Sequence, residues 1–168
     1  MLTPEQTDFL ESQRVARLAT VDERGRPHAV PVCFALLDGA IYTPIDEKPK
    51  RDSSRPLRRI RNIMANPEVC LVVDRYEEDW TRLAWLQVRG AAALVNDAAE
   101  RSRAIAALRA RYPQYRAMDL ESRALIRISP ERIVGWAATA TTSSPVGSAP
   151  SPGPAPAAAR EGALGDHG

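Results

Sequence analysis

Between Val15 and Thr43 the sequence holds three strand-like runs joined by links too short to cross over a sheet. Val15–Val21 is followed by Asp22-Glu23-Arg24-Gly25-Arg26-Pro27, a turn by composition. His28–Leu37 is followed by Asp38-Gly39, a strong two-residue hairpin signal, and Ala40–Thr43 returns. Strands joined this way run antiparallel, because a parallel pair needs a crossover of a dozen residues or more. A doubly wound nucleotide-binding sheet is therefore excluded, and no GxGxxG or GxxxxGK[ST] argues otherwise.

The rest of the chain alternates helices with strands. Thr3-Pro4-Glu5-Gln6 opens a short helix with a capping box. Leu57, Ile60, Ile63 and Met64 share one face of a helix over Pro56–Ala65, whose other positions include Arg58, Arg59 and Arg61. Val69–Val73 and Leu83–Val95 read as strands, the second bending at Gly90. Asp97–Tyr112 is an amphipathic helix with Asp97 and Glu100 in capping-box spacing. Ala124–Ile128 and Arg132–Trp136, parted by Ser129-Pro130, complete the set. The pattern predicts a mainly β (α+β) fold: a six-stranded antiparallel split barrel with flanking helices.

Composition separates two regions. Residues 1–137 carry the periodic apolar pattern; residues 138–168 are mostly Ala, Pro, Ser, Thr and Gly and cannot bury enough surface to offset ordering, so a disordered tail is expected. Cys33 and Cys70 suit buried thiols in a cytoplasmic protein rather than a disulfide framework. No apolar run is long enough to span a membrane. The formal net charge of +2, with few aromatics, gives no basic stripe for nucleic acid. Of 23 basic residues only Lys48 and Lys50 are lysines, and both stand in the polar loop Pro44–Ser53. No zinc spacing, no GxSxG and no paired-carboxylate motif is present, so an enzyme of this sequence would take its reactive group from an organic cofactor.

Three stretches together resemble a known family: Arg17-Leu18-Ala19-Thr20-Val21 through Gly25-Arg26-Pro27-His28-Ala29-Val30-Pro31-Val32; Ile41-Tyr42-Thr43-Pro44 with Glu47-Lys48-Pro49-Lys50; and Leu57-Arg58-Arg59-Ile60-Arg61-Asn62-Ile63 leading to Trp85 and Gly90. They resemble the pyridoxamine 5′-phosphate oxidase-like split-barrel flavoproteins. The Lys-Pro-Lys loop, the arginine helix and Asp79-Trp80 look most like the actinobacterial branch that uses the deazaflavin coenzyme F420. The resemblance implies a homodimer with cofactor grooves between subunits and a small-molecule substrate. It implies that Val30, Pro31 and Val32 lie along the ring and that Tyr42 and Thr43 stand beside the phosphate. Lys48 and Lys50, with Pro49 between them, would hold the phosphate, and the strand near Trp85 and Gln87 would belong to the partner's side of the site; Arg58, Arg59 and Arg61 would widen the positive field for an anionic tail, and Trp80 is a further candidate to line the site. An FMN-binding oxidase or reductase of the same fold, and a carrier without turnover, are the alternatives. Val30 stands where phosphate-oxidase members bear a basic residue, so pyridoxamine phosphate is not the expected substrate.

Overall fold

The computed structural model describes residues 1–45 and 57–138. Its elements run α1 (Pro4–Ser12), β1 (Ala16–Val21), β2 (Pro27–Val32), β3 (Ala35–Leu37), β4 (Ala40–Pro44), α2 (Arg58–Ala65), β5 (Glu68–Arg75), β6 (Ala84–Leu94), α3 (Ala98–Arg111) and β7 (Leu125–Ala137). Short 3-10 turns cover Trp80–Arg82 and Pro113–Ala117. All seven strands join one antiparallel sheet in the order β2-β1-β5-β6-β7-β4-β3.

That order forces the sheet to curl. β2 and β3 are its two edges, yet only Cys33 and Phe34 separate them in sequence. From Val32 to Ala35 the chain can reach at most about 11 Å. The edges must therefore approach each other, which makes the split barrel. Its interior holds Leu18, Phe34, Ile41, Leu71, Val88 and Ile128, all fully buried. A second apolar layer, with Tyr42, Ile105, Leu108 and Tyr112, lies between β3–β4 and α3.

The fold has seven strands where the sequence suggested six. The apolar run His28–Leu37 breaks at Phe34, whose backbone is claimed by a side chain instead of a neighbouring strand. The Phe34 N–H donates to the Tyr112 hydroxyl at 3.1 Å, and that hydroxyl is 2.9 Å from the Phe34 carbonyl. Conversely, the two expected C-terminal runs are one strand, β7, carried through Ser129-Pro130 beside the register shift at Arg89/Gly90 on β6. The expected bend at Gly90 has a steric cause: a Cβ there would sit 2.0 Å from the Ser129 carbonyl oxygen.

The α1 capping box forms in full: Gln6 N–H donates to Thr3 Oγ1 at 3.2 Å, and Thr3 N–H to Gln6 Oε1 at 2.9 Å. On α3 only half of it forms. Asp97 accepts from the Glu100 N–H at 2.7 Å, while the Glu100 carboxylate is used elsewhere. Among the described residues no helix is long and apolar enough to cross a membrane, and no cluster of His, Cys, Asp and Glu could hold a metal ion.

Candidate functional site

α2 packs on the inner end of β1. Asn62, 3% exposed, donates to Thr20 Oγ1 at 2.9 Å, and Thr20, wholly buried, reaches the His28 carbonyl of β2 at 3.3 Å. This chain of two buried polar groups ties the helix to the β1–β2 edge. It presents Arg58, Arg59 and Arg61 close to where β2 begins.

The N-terminus of α2 is in local electrostatic conflict. Leu57 at the cap offers no side-chain acceptor, the first turn has no acid, and Arg58 and Arg59 stand there instead. Cations at a helix N-terminus oppose its dipole by a few tenths of a kcal/mol or more each. Arg58 finds partial relief from Asp22 at 3.4 Å, and Arg61 is exposed without an ion pair among the described residues. The positive field is felt nearby: burial, then Arg58 and Arg59, push the His28 imidazole below its ordinary pKa. Such an arrangement, with no side-chain cap and no acid in the first turn, is suited to an anion.

The segment carrying Lys48, Pro49 and Lys50 lies outside the described residues. Its anchors are described. β4 leads into it through buried Ile45, whose N–H donates to the Ala124 carbonyl at 2.9 Å, and Leu57 follows it directly before α2. The lysine loop therefore joins β4 to the arginine helix.

The other expected site residues part company. β2 is an edge strand, where a proline is tolerated, and Pro31 faces outward opposite Arg17. Val30 and Val32 turn inward against the barrel core, so β2 can offer a ligand its open backbone edge and Pro31 but not those two side chains. Tyr42 and Thr43 are consecutive and so point to opposite faces of β4. Thr43 is 1% exposed. Tyr42 lies under α3 and donates from its hydroxyl to Glu100 Oε1 at 2.8 Å, with Arg127 3.5 Å from the same oxygen. Burial, with Glu100 beside it, pushes the phenol up to about 12. These groups line an open cleft of about 600 Å³ with Asp38, Asp97 and Arg103. Sequence reasoning missed this cleft; the Asp97–Glu100 spacing marked a helix start but not the destination of the Glu100 side chain.

Trp85 is half-buried on β6, paired across the sheet with Trp136 on β7. It shares the outer face of the sheet with Val72, Gln87, Val134 and Pro31, in a row spanned by the register Pro31–Arg17–Val72–Gln87–Val134. Trp80 is not on that face. It stands 68% exposed in the loop between β5 and β6. One protomer thus joins α2 to the β2 edge and leaves Trp85 three strands away on β6.

The family model for pyridoxamine 5′-phosphate oxidase matches residues 2–137. The chain belongs to that family. A 5a,11a-dehydrotetracycline/5a,11a-dehydrooxytetracycline reductase of Streptomyces rimosus is 39% identical over 74 residues, 43% of this chain. That match spans 48% of the reductase, about half its length. Three solved structures share the split-barrel fold. A conserved hypothetical protein of Mycobacterium tuberculosis, Rv2991, is 22% identical with a TM-score of 0.67, over 86% of this chain and 92% of that one. An FAD-binding protein of Mesorhizobium loti is 24% identical, TM-score 0.60, over 80% and 92%. The heme storage protein HutZ of Vibrio cholerae is 23% identical, TM-score 0.60, over 81% and 94%.

Proposed function

We propose that this member of the family is a cytoplasmic oxidoreductase that binds coenzyme F420 in a groove between two copies of the chain and acts on a small organic substrate. The observation that carries the reading is the uncapped, arginine-bearing start of α2, reached directly from the loop that holds both lysines. Coenzyme F420 has a phosphodiester followed by glutamate carboxylates, a longer anionic tail than the single phosphate of FMN. Cations spread along a path suit that tail better than one cluster does. The partial match to a reductase supports the reaction class.

When bound, the deazaflavin ring supplies the hydride acceptor or donor. The chain's own residues bind and orient. Lys48 and Lys50 hold the tail as compact donors, Arg61 extends the field, and the open edge of β2 beside Pro31 offers backbone groups to the ring. Trp85 and Gln87 wall the groove from the second copy. The outer sheet face supports that second copy: Val72, Val134, Trp85 and Trp136 make an apolar patch, Trp136 being 49% exposed, that one barrel leaves uncovered.

Titration of the purified protein with F420, FMN and hemin, followed by absorbance and fluorescence, tests this. F420 is expected to bind most tightly, and turnover with candidate substrates separates an enzyme from a carrier. Tighter binding of FMN or hemin would overturn the cofactor assignment.

A further inference from the structure

Arg89 and Arg132 stand directly opposite each other across β6 and β7, on the outer face of the sheet. Both are exposed, and neither has an ion pair among the described residues. Like charges set opposite on one face of a sheet repel each other. Two acids are near. Glu68 stands diagonally from Arg89, opposite Ala91, and Glu131 adjoins Arg132, yet neither forms an ion pair with them among the described residues. Other arginines of the sheet are matched: Arg17 by Asp74 and Arg127 by Glu100.

One member of the pair is held toward the rest of the face. Arg89 Nε donates to Gln87 Oε1 at 3.2 Å, which draws its guanidinium back along β6 in the direction of Trp85. Gln87 and Val134 form the next row, and Trp85 and Trp136 the row after it. At about 3.4 Å per residue, this wall passes from two cations through an amide to two indoles within about 14 Å. On the other side Cys70 stands opposite Arg89 on β5, and Ala19 continues the row on β1. Both side chains are small. Burial pushes the Cys70 thiol up, so it stays neutral and opposes no anion.

We propose that Arg89 and Arg132 form a subsite for an oxyanion, the carboxylate or phosphate of a flat small-molecule substrate whose body lies along Gln87 toward Trp85 and Trp136. Guanidinium forks match either group with paired hydrogen bonds. The bound anion also removes the repulsion that the two cations carry without it. Paired strands fix both Cα positions, so only side chains remain to be ordered. The assignment names the substrate class for the groove walled by Trp85 and Gln87, and it rests on the proposed function of that groove.

The test titrates the full chain, without cofactor, with naphthoate and with its neutral amide, naphthamide. Calorimetry reads affinity, and the arginine Nε–Hε resonances report which side chains respond. Naphthoate is expected to bind about tenfold more tightly than the amide and to shift the Arg89 and Arg132 resonances. Inorganic phosphate should shift the same two resonances and displace naphthoate. Arg89→Gln and Arg132→Gln together should reduce naphthoate to the affinity of the amide. Both residues are exposed and the change removes a repulsion, so thermal unfolding should hold its midpoint or rise. Equal affinity for acid and amide in the wild type, or a tenfold preference that survives the double variant, would overturn the proposal. A wild-type dimer that dissociates in the double variant would overturn it in favour of acids from a second copy. Loss of F420 binding along with naphthoate would overturn it in favour of the cofactor's tail. A wild type that binds naphthoate through these arginines but does not bind F420 would remove the cofactor reading and still support the oxyanion subsite.

Discussion

At the residue scale, Tyr42 shows how one buried hydroxyl couples stability to pH. Its phenol is pushed up to about 12 from an ordinary value near 10. The folded state holds the proton more tightly than the unfolded one. The contribution is therefore complete below pH 10 and is lost as pH rises from 10 through 12. Tyr42→Phe should cost about 1–2 kcal/mol at neutral pH and abolish the part of the alkaline fall that Tyr42 causes, read from urea unfolding at pH 9 and pH 11. On the proposed reading the lysines act by charge. Changing Lys48 and Lys50 together to Ala should weaken F420 binding by about tenfold or more, as about 1.4 kcal/mol is one decade, and the loss should shrink in high salt. Calorimetry at two salt concentrations checks both halves; an unaffected double mutant would sink the assigned role.

At the scale of elements, two joints hold the fold in register. The first docks α2: Asn62→Ala strands Thr20 in a buried site and should cost about 1–3 kcal/mol, with weaker F420 binding because Arg58, Arg59 and Arg61 lose their fixed base. Equilibrium unfolding and the cofactor titration, measured on the same preparation, show whether the two effects travel together. The second joint is the β6–β7 bulge. Gly90→Ala places a methyl against backbone rather than a yielding side chain, so a loss of about 2–4 kcal/mol is expected in thermal unfolding. A neutral substitution would mean that the strands separate at Ser129 more easily than the contact allows.

For the whole molecule, the uncovered outer face and the scattered site residues point the same way. Because Trp85 and the β2 edge lie apart in one protomer, a shared groove requires a second copy. A two-fold homodimer is expected by light scattering at micromolar concentration. Val134→Arg, in the middle of the apolar row, should give monomers and lose F420 binding in the same step. A monomeric wild type, or a monomeric variant that still binds, would remove the shared groove.

Much of this architecture was legible in local signals. Turn chemistry marked Asp38-Gly39, where Asp38 takes φ 52° and Gly39 φ 77°, and the capping box marked α1. The hairpins made the strands antiparallel because short links permit nothing else. Apolar periodicity located α2 and α3 to within a few residues, and the lysine pair drew attention to the loop before α2. What sequence could not show depends on groups distant along the chain. The break between β2 and β3 is made by Tyr112, 78 residues from Phe34. Thr20 and Asn62 read as ordinary polar residues until folding buries them 2.9 Å apart. Tyr42 and Thr43, adjacent in sequence, were separated by the two faces of one strand, and Glu100 drew the tyrosine under α3. Local propensity is set by a residue and its near neighbours, so it names elements. Which side chain closes a break, satisfies a buried hydroxyl or lines a cleft is decided by what the folded sheet brings to the same point.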